Sequence, residues 1–246
     1  MADAGGAMAD AAIALARAGE VDALVTAPVS KESIARHVRT GFVGHTDHLA
    51  AACGLERYGR DYLMAFLAPR LQVALLSVHE PLRDAVAAIT TDGVVAALHC
   101  LERHAGGRIA LAGLNPHAGE GGLLGTEEQE LSMATFVPAP AVDAVGPESA
   151  DSLFARAARD EFDWVLALYH DQGLIAVKTA SFGLATNWTL GLPFLRTSVD
   201  HGTAFALAGS GHADAAPLSA VLETTLDLLA GRLPRRRVDR AASDRP

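Results

Sequence analysis

The interior of this protein is written as unbroken apolar runs rather than as alternation. Tyr62 to Ala68 and Leu71 to Val78 flank Pro69-Arg70 and predict a pair of strands. Arg108 to Leu114 and Trp164 to Tyr169 predict two more, and Asp22 to Pro28 a shorter one ended by its proline. Between them, apolar positions recur at helical spacing. Ala11 to Ala18 stops at Gly19, Ser30 caps a segment carrying Ser33, Ile34 and Val38, and Thr46 to Cys53 runs up to Gly54. Leu82 to His104 keeps the helical period through a break and re-cap at Thr90 to Gly93, and Asp151 to Arg159 and Ala216 to Leu229 follow as helices. Leu174 to Val177 continues in apolar register beyond His170 to Gly173, Val137 to Gly146 is a connection, and the arginine-rich residues 232–246 are a flexible tail. Strands alternating with helices imply an α/β protein with a largely parallel sheet, because parallel neighbours need helical crossovers.

Composition narrows the function classes. The 246 residues are 50% hydrophobic, enough for one large α/β domain or two small ones and too apolar for disorder. A net charge of −9 argues against nucleic acid or an anionic membrane as partner, so any anionic ligand has to be held by a local cationic cluster. Cys53 and Cys100 lack CxxC spacing and read as buried thiols in a reducing, cytoplasmic compartment. Asp3 and Asp10 stand where a secretory signal would carry positive charge, and no run reaches the roughly 18 apolar residues of a membrane span.

Chemistry concentrates where strands end. His45 in Gly44-His45-Thr46, His117 in Asn115 to Gly119 and His170 in Tyr169-His170-Asp171 sit in polar junctions of this kind. Three neutral imidazoles suit Zn²⁺, Co²⁺ or a similar divalent ion, whereas each taken alone reads as an ordinary loop or cap histidine. His37, His48, His79, His99, His104 and His212 have no such context and read as helix or surface residues. Only Lys31 and Lys178 supply ammonium groups, both beside these junctions, and Lys178, Asn187 and Arg196 follow His170 as a set able to hold an anion. Asp151 and Asp171 offer carboxylates as ligand, histidine orienter or base, with helix capping as the plainer role of Asp151. The glycines of Gly119 to Gly125 lack dinucleotide-fingerprint spacing and read as close backbone approaches to a ligand.

These motifs resemble the 4-hydroxythreonine-4-phosphate dehydrogenase family of pyridoxal 5′-phosphate biosynthesis. The resemblance runs in order from Val21 to Lys31 through Gly44 to Thr46, Gly113 to Gly122, Gly125 to Glu128 and Leu168 to Gly173 to Thr189 to Thr203. It implies two interleaved α/β/α subdomains with a cleft, similar to the isocitrate and isopropylmalate dehydrogenases, in a homodimer with a shared active site. It further implies a divalent metal (Zn, Co or Mg) on His45, His117 and His170, the last reaching over from the partner. Substrate contacts fall to Lys178, Asn187 and Arg196, catalytic roles to Lys178, Asp151 and Asp171, and NAD or NADP contacts to His201, Gly202 and Thr203. The implied reaction is oxidation and decarboxylation of 4-phosphohydroxy-L-threonine.

Three departures bear on that expectation. The family usually carries a Gly-Asp-Pro-x-Gly-Ile-Gly-Pro-Glu loop ahead of the first strand matched here, which this sequence does not contain, so an N-terminally shortened version of the fold is expected. Phe182 to Asn187 lacks the usual Arg-Gly-Val, and Ser30 stands where histidine is common. The alternatives are the same chemistry on another hydroxy acid, such as a phosphorylated sugar acid or a cis-dihydrodiol carboxylate, a homologue without catalysis, and a three-histidine zinc hydrolase.

Overall fold

The computed structural model describes residues 2–30, 34, 36, 44–136 and 142–233. Eight strands, β1 (Ala23–Thr26), β2 (Leu63–Ala68), β3 (Leu71–Leu75), β4 (Ile109–Ala112), β5 (Ala144–Glu148), β6 (Trp164–Ala167), β7 (Thr186–Leu190) and β8 (Leu195–Val199), join in one sheet ordered β1-β8-β7-β2-β3-β6-β4-β5. Pairing is parallel at both flanks, β1 with β8 and β3-β6-β4-β5, but antiparallel through the centre at β8-β7-β2-β3. The sheet is therefore mixed rather than largely parallel. The cause is local: Pro69-Arg70 closes β2 and β3 into a hairpin, and antiparallel β7 and β8 complete the centre.

The described helices are α1 (Ala2–Ala18), α2 (His45–Ala52), α3 (Leu82–Ala88), α4 (Thr91–His104), α5 (Glu127–Phe136), α6 (Ala150–Ala157), α7 (His170–Ser181) and α8 (Ala216–Leu229). The unbroken apolar strands are explained by burial on both faces. Leu63, Ala65 and Leu67 of β2 pack with Val94, Ala97, Leu98 and Leu101 of α4, while Met64, Phe66 and Ala68 pack with Leu153 and Ala157 of α6 and Leu174 and Val177 of α7. Thr90 caps α4 by accepting from the Gly93 amide at 3.1 Å, which is the break and re-cap expected within Leu82 to His104.

Other expectations need revision. His170 to Val177 is the first part of α7, with Leu174, Val177 and Ser181 buried at helical spacing, so the apolar run after Gly173 faces the sheet from a helix instead of extending a strand. Gly173 permits this closeness, since a Cβ there would lie 2.6 Å from Leu75 Cδ2 and 2.9 Å from Val73 Cγ1. The connection expected up to Gly146 contains the start of β5, an edge strand. Lys31, Ser33, His37 and Val38 lie outside the described residues, as does the tail beyond Leu233. Arg232 is tied to Asp227 at 2.7 Å.

Candidate active site

Register decides which side chains meet. Thr26 pairs with Ser198, Leu24 with Arg196, Asn187 with both Ser198 and Phe66, and Met64 with Thr189. With the two-residue period of a strand, Thr26, Asn187, Thr189, Arg196 and Ser198 stand on one face of the sheet together with Met64 and Phe66. The opposite face is taken by α8, where Thr197 and Thr225 share a hydrogen bond of 2.7 Å. β1 and β8 run opposite to β3 and β6, and the residues following both sets line one cavity of about 350 Å³. His45, Thr46, His79, His170, Lys178, Asn187, Arg196, Asp200, His201 and Gly202 all contribute to its wall.

Two members are polar groups buried without full satisfaction. Arg196 is 3% exposed and Asn187 8%, and among the described residues Arg196 Nε and Asn187 Oδ1 have no hydrogen-bond partner. Burial alone pushes the Arg196 pKa down to about 10, so the guanidinium is still charged at neutral pH. Lys178 Nζ donates to the Asp200 carbonyl at 2.9 Å, holding the ammonium at the rim. A cation held this way, beside an amide with a spare acceptor, is built to receive an oxyanion that also carries a hydrogen-bond donor.

The histidines differ in charge and placement. Burial, aided by nearby Arg196 and His48, lowers the His45 pKa to about 4, leaving a neutral imidazole at neutral pH. His170 Nδ1 and Asp171 Oδ1 are 2.7 Å apart, an arrangement that makes Nε2 the lone-pair nitrogen when Asp171 accepts from Nδ1. His117 stands elsewhere. It lines a second cavity with Asn115, Ser149, Asp151, Tyr169 and Gln172. Among the described residues, no three His, Cys, Asp or Glu side chains of one chain converge on a point that could hold an ion. Within one chain it is His117, rather than His170, that stands apart from the other two.

The turn bearing His117 is unusual. From His117 to Gly121 all five residues have positive φ, a left-handed stretch within Pro116–Gly122. Left-handed backbone costs about 1–2 kcal/mol for each non-glycine residue. Buried Glu128 braces it: Oε1 accepts from the Asn115 amide at 2.5 Å and Oε2 from Asn115 Nδ2 at 3.0 Å. Asp151, one turn into the second cavity, accepts from Ser149 Oγ at 2.6 Å and from the Ser152 amide at 2.8 Å. Those bonds, with His117 nearby, hold its carboxyl below the usual range against an opposing burial effect.

At the cavity mouth, β8 runs into Asp200 to Ala204. His201 Nδ1 lies 2.8 Å from the Gly202 carbonyl, and Thr203 follows in the same exposed loop. The Asp200 Oδ2 atom is buried without a hydrogen-bond partner among the described residues.

Comparison with known proteins draws these features together. The model of the pyridoxal phosphate biosynthetic protein PdxA matches residues 2–225. The chain belongs to the PdxA family. A 4-hydroxythreonine-4-phosphate dehydrogenase from Acidithiobacillus ferrooxidans is 45% identical over 234 residues, covering 91% of this chain and 68% of the relative. The crystal structure of the enzyme of that name from Klebsiella pneumoniae superposes with a TM-score of 0.80 at 34% identity, covering 90% of this chain and 69% of that one. A terephthalate 1,2-cis-dihydrodiol dehydrogenase from Burkholderia xenovorans gives 0.63 at 29% identity, with 91% and 71% covered. Isocitrate dehydrogenase from Methylococcus capsulatus, at 0.52 and 14% identity with 94% and 74% covered, shares the fold alone, which is the architecture the resemblance implied. With the family comes the expected class of activity, an oxidoreductase of pyridoxal phosphate biosynthesis.

Sequence reasoning missed His79. Its ring lies 5.6 Å from that of His170, and it lines both the main cavity and a third one shared with Tyr169 and Asp171. The available signal was its place just after the apolar run ending at Val78, the same strand-end logic that singled out His45, His117 and His170. Tyr58 was also missed. Its hydroxyl donates to the Leu75 carbonyl at 2.8 Å and accepts from the Met64 amide at 3.2 Å beneath the cavity.

Proposed function

We infer that the chain oxidises 4-phosphohydroxy-L-threonine with NAD or NADP at a divalent metal and promotes loss of CO₂ from the product. The observation carrying this reading is the cavity in which buried Arg196, its Nε without a hydrogen-bond partner among the described residues, lies with Asn187, Lys178 and four histidines, His45 and His170 among them. Arg196 and Asn187 bind the phosphate or carboxylate. Lys178, whose Nζ is held at the rim by the Asp200 carbonyl, acts as proton donor to the substrate.

The donor set fits a metal ion. His45 is neutral, and Asp171 turns His170 Nε2 toward a lone-pair role, as a borderline-soft ion such as Zn²⁺ or Co²⁺ requires. When bound, the ion supplies Lewis acidity at the substrate oxygens and the nicotinamide supplies the hydride acceptor. His201, Gly202 and Thr203 border the adenosine end of that cofactor. His117, with Asp151 beside it as base or orienter, completes the ligand set from a second chain. Supporting such a homodimer, Leu82, Leu123, Ile175 and Phe182 are exposed apolar side chains, and Leu82 lines one cavity with His79 and His170. The free thiols Cys53 and Cys100 suit a cytoplasmic setting. No described helix is long and apolar enough to cross a membrane, and the charge of −9 disfavours nucleic acid.

A second reading, the same chemistry on a cis-dihydrodiol carboxylate, is favoured by the likeness to the terephthalate dihydrodiol enzyme. A substrate panel separates them. The first reading expects reduced nicotinamide from the phosphorylated amino acid and none from its dephosphorylated form or from dihydrodiols. Turnover of the dihydrodiol alone supports the second, and turnover of none of them overturns both.

A further inference from the structure

A buried arginine ordinarily meets a carboxylate, because desolvating a cation without a counter-charge costs several kcal/mol. Arg196 does not. Among the described residues it has no carboxylate within ion-pair distance, although Asp47 and Asp200 line the same cavity. Asp47 Oδ1 instead accepts from the Tyr62 hydroxyl at 3.3 Å. The guanidinium is held by hydroxyls: Nη2 donates to Thr26 Oγ1 at 2.6 Å and Nη1 to Thr189 Oγ1 at 2.9 Å, with Thr46 Oγ1 a longer contact at 3.3 Å. Thr26 comes from β1 and Thr189 from β7, one on each side of the arginine's own strand β8. The clamp thus grips both flanks of the guanidinium within the sheet.

Threonine is well matched to that task. Its hydroxyl satisfies an N–H donor without neutralising the charge, and its branched Cβ restricts χ1 on a strand, so the acceptor is fixed before ligand arrives. Asp or Glu at either place would give Arg196 a permanent counter-ion and leave less charge for a ligand. The unsatisfied Nε marks the donor capacity that remains.

We propose that Thr26 and Thr189 are positioning residues that fix Arg196 with neutral hydroxyls and so keep its charge uncompensated for a tetrahedral oxyanion, the phosphate group of the substrate. This rests on the reading that Arg196 takes the substrate's anion. It adds that the fold carries an unpaired cation held in place for binding, with a cost in stability that a carboxylate would remove.

The test uses inorganic phosphate as probe, titrated calorimetrically against the full chain, with thermal unfolding measured alongside. Thr189→Val and Thr26→Val each keep the shape and remove the acceptor. Each is expected to weaken phosphate binding about tenfold, the scale of one hydrogen bond to a charged group, and to raise KM for the phosphorylated substrate with little change in kcat. Thr189→Ser, which keeps the hydroxyl, is expected to restore most of the affinity. Thr189→Asp should abolish phosphate binding while raising Tm. Valine variants that bind phosphate like the wild type overturn the proposal, as does an aspartate variant that folds and retains the anion. Should the aspartate variant fail to fold, the valine and serine pair still decides. Unchanged binding by Arg196→Gln, or no binding by the wild type, means that the anion site itself was misread.

Discussion

The rings of His79 and His170 lie 5.6 Å apart, tilted at 45°, where the segment leaving β3 meets the first turn of α7. Two imidazoles so placed can turn toward one ion, and Asp171 fixes the orientation of one of them through His170 Nδ1. Asp171→Asn keeps the shape and weakens that control. Affinity for Zn²⁺ or Co²⁺ should fall about ten- to a hundredfold, the usual effect of losing such an outer partner. Isothermal titration reads this directly, and an unchanged affinity would remove Asp171 from the account.

Protonation of His45 should cost stability. Its folded pKa of about 4 lies below the ordinary histidine value of 6.5, so between those values the unfolded chain binds more protons than the folded one. The contribution is fully present above pH 6.5 and is lost as pH falls toward 4. His104, lowered by burial and Arg103, acts in the same direction. His45→Gln should therefore flatten, without abolishing, the fall of Tm between pH 7 and pH 4. An identical slope in the variant would mean that His45 is solvated and carries no such linkage.

Close packing sets the position of His170. Gly173 lies against Leu75 and Val73, and a methyl group there overlaps both. Gly173→Ala should destabilise by about 1–3 kcal/mol, the range for overpacked cores, and lower metal affinity as the start of α7 moves outward. Denaturant unfolding and metal titration on the same variant test the two effects together.

Much of this fold is legible in the sequence because its strands are buried on both faces. The run from Leu63 to Ala68 needs no periodicity argument when every position is inside. Strands β7 and β8 escape the same reading. Their site-facing positions hold Asn187, Thr189, Arg196 and Ser198, so Thr186 to Leu190 and Leu195 to Val199 look polar although they are largely buried. Local rules fail where polar side chains are turned inward for a ligand. Asn187 and Arg196 could be named from the family motif, but their shared face follows only from pairing register. His79 was overlooked for lack of glycine or asparagine neighbours, and the separation of His117 from the main cavity depends on a left-handed turn that no sequence period encodes.

That turn gives a further expectation. Glu128 accepts from the Asn115 amide and side chain, and Glu128→Ala leaves the half-buried amide without its acceptor. The cost should be about 1–3 kcal/mol for an orphaned group. Limited proteolysis should then cut within Pro116–Gly122 faster than in the parent chain. Equal resistance would show that the left-handed stretch stands without its brace.

Under the proposed function one active site combines Arg196 of one chain with His117 of another; within a single chain the two line different cavities. Subunit mixing tests it most directly. His117→Ala and Arg196→Gln are each expected to be inactive alone. Unfolded together and refolded, they should regain metal-dependent nicotinamide reduction, because a mixed pair contains one intact site. If both residues serve the same chain's site, every site in the mixture carries a defect and no activity returns, which would contradict the account.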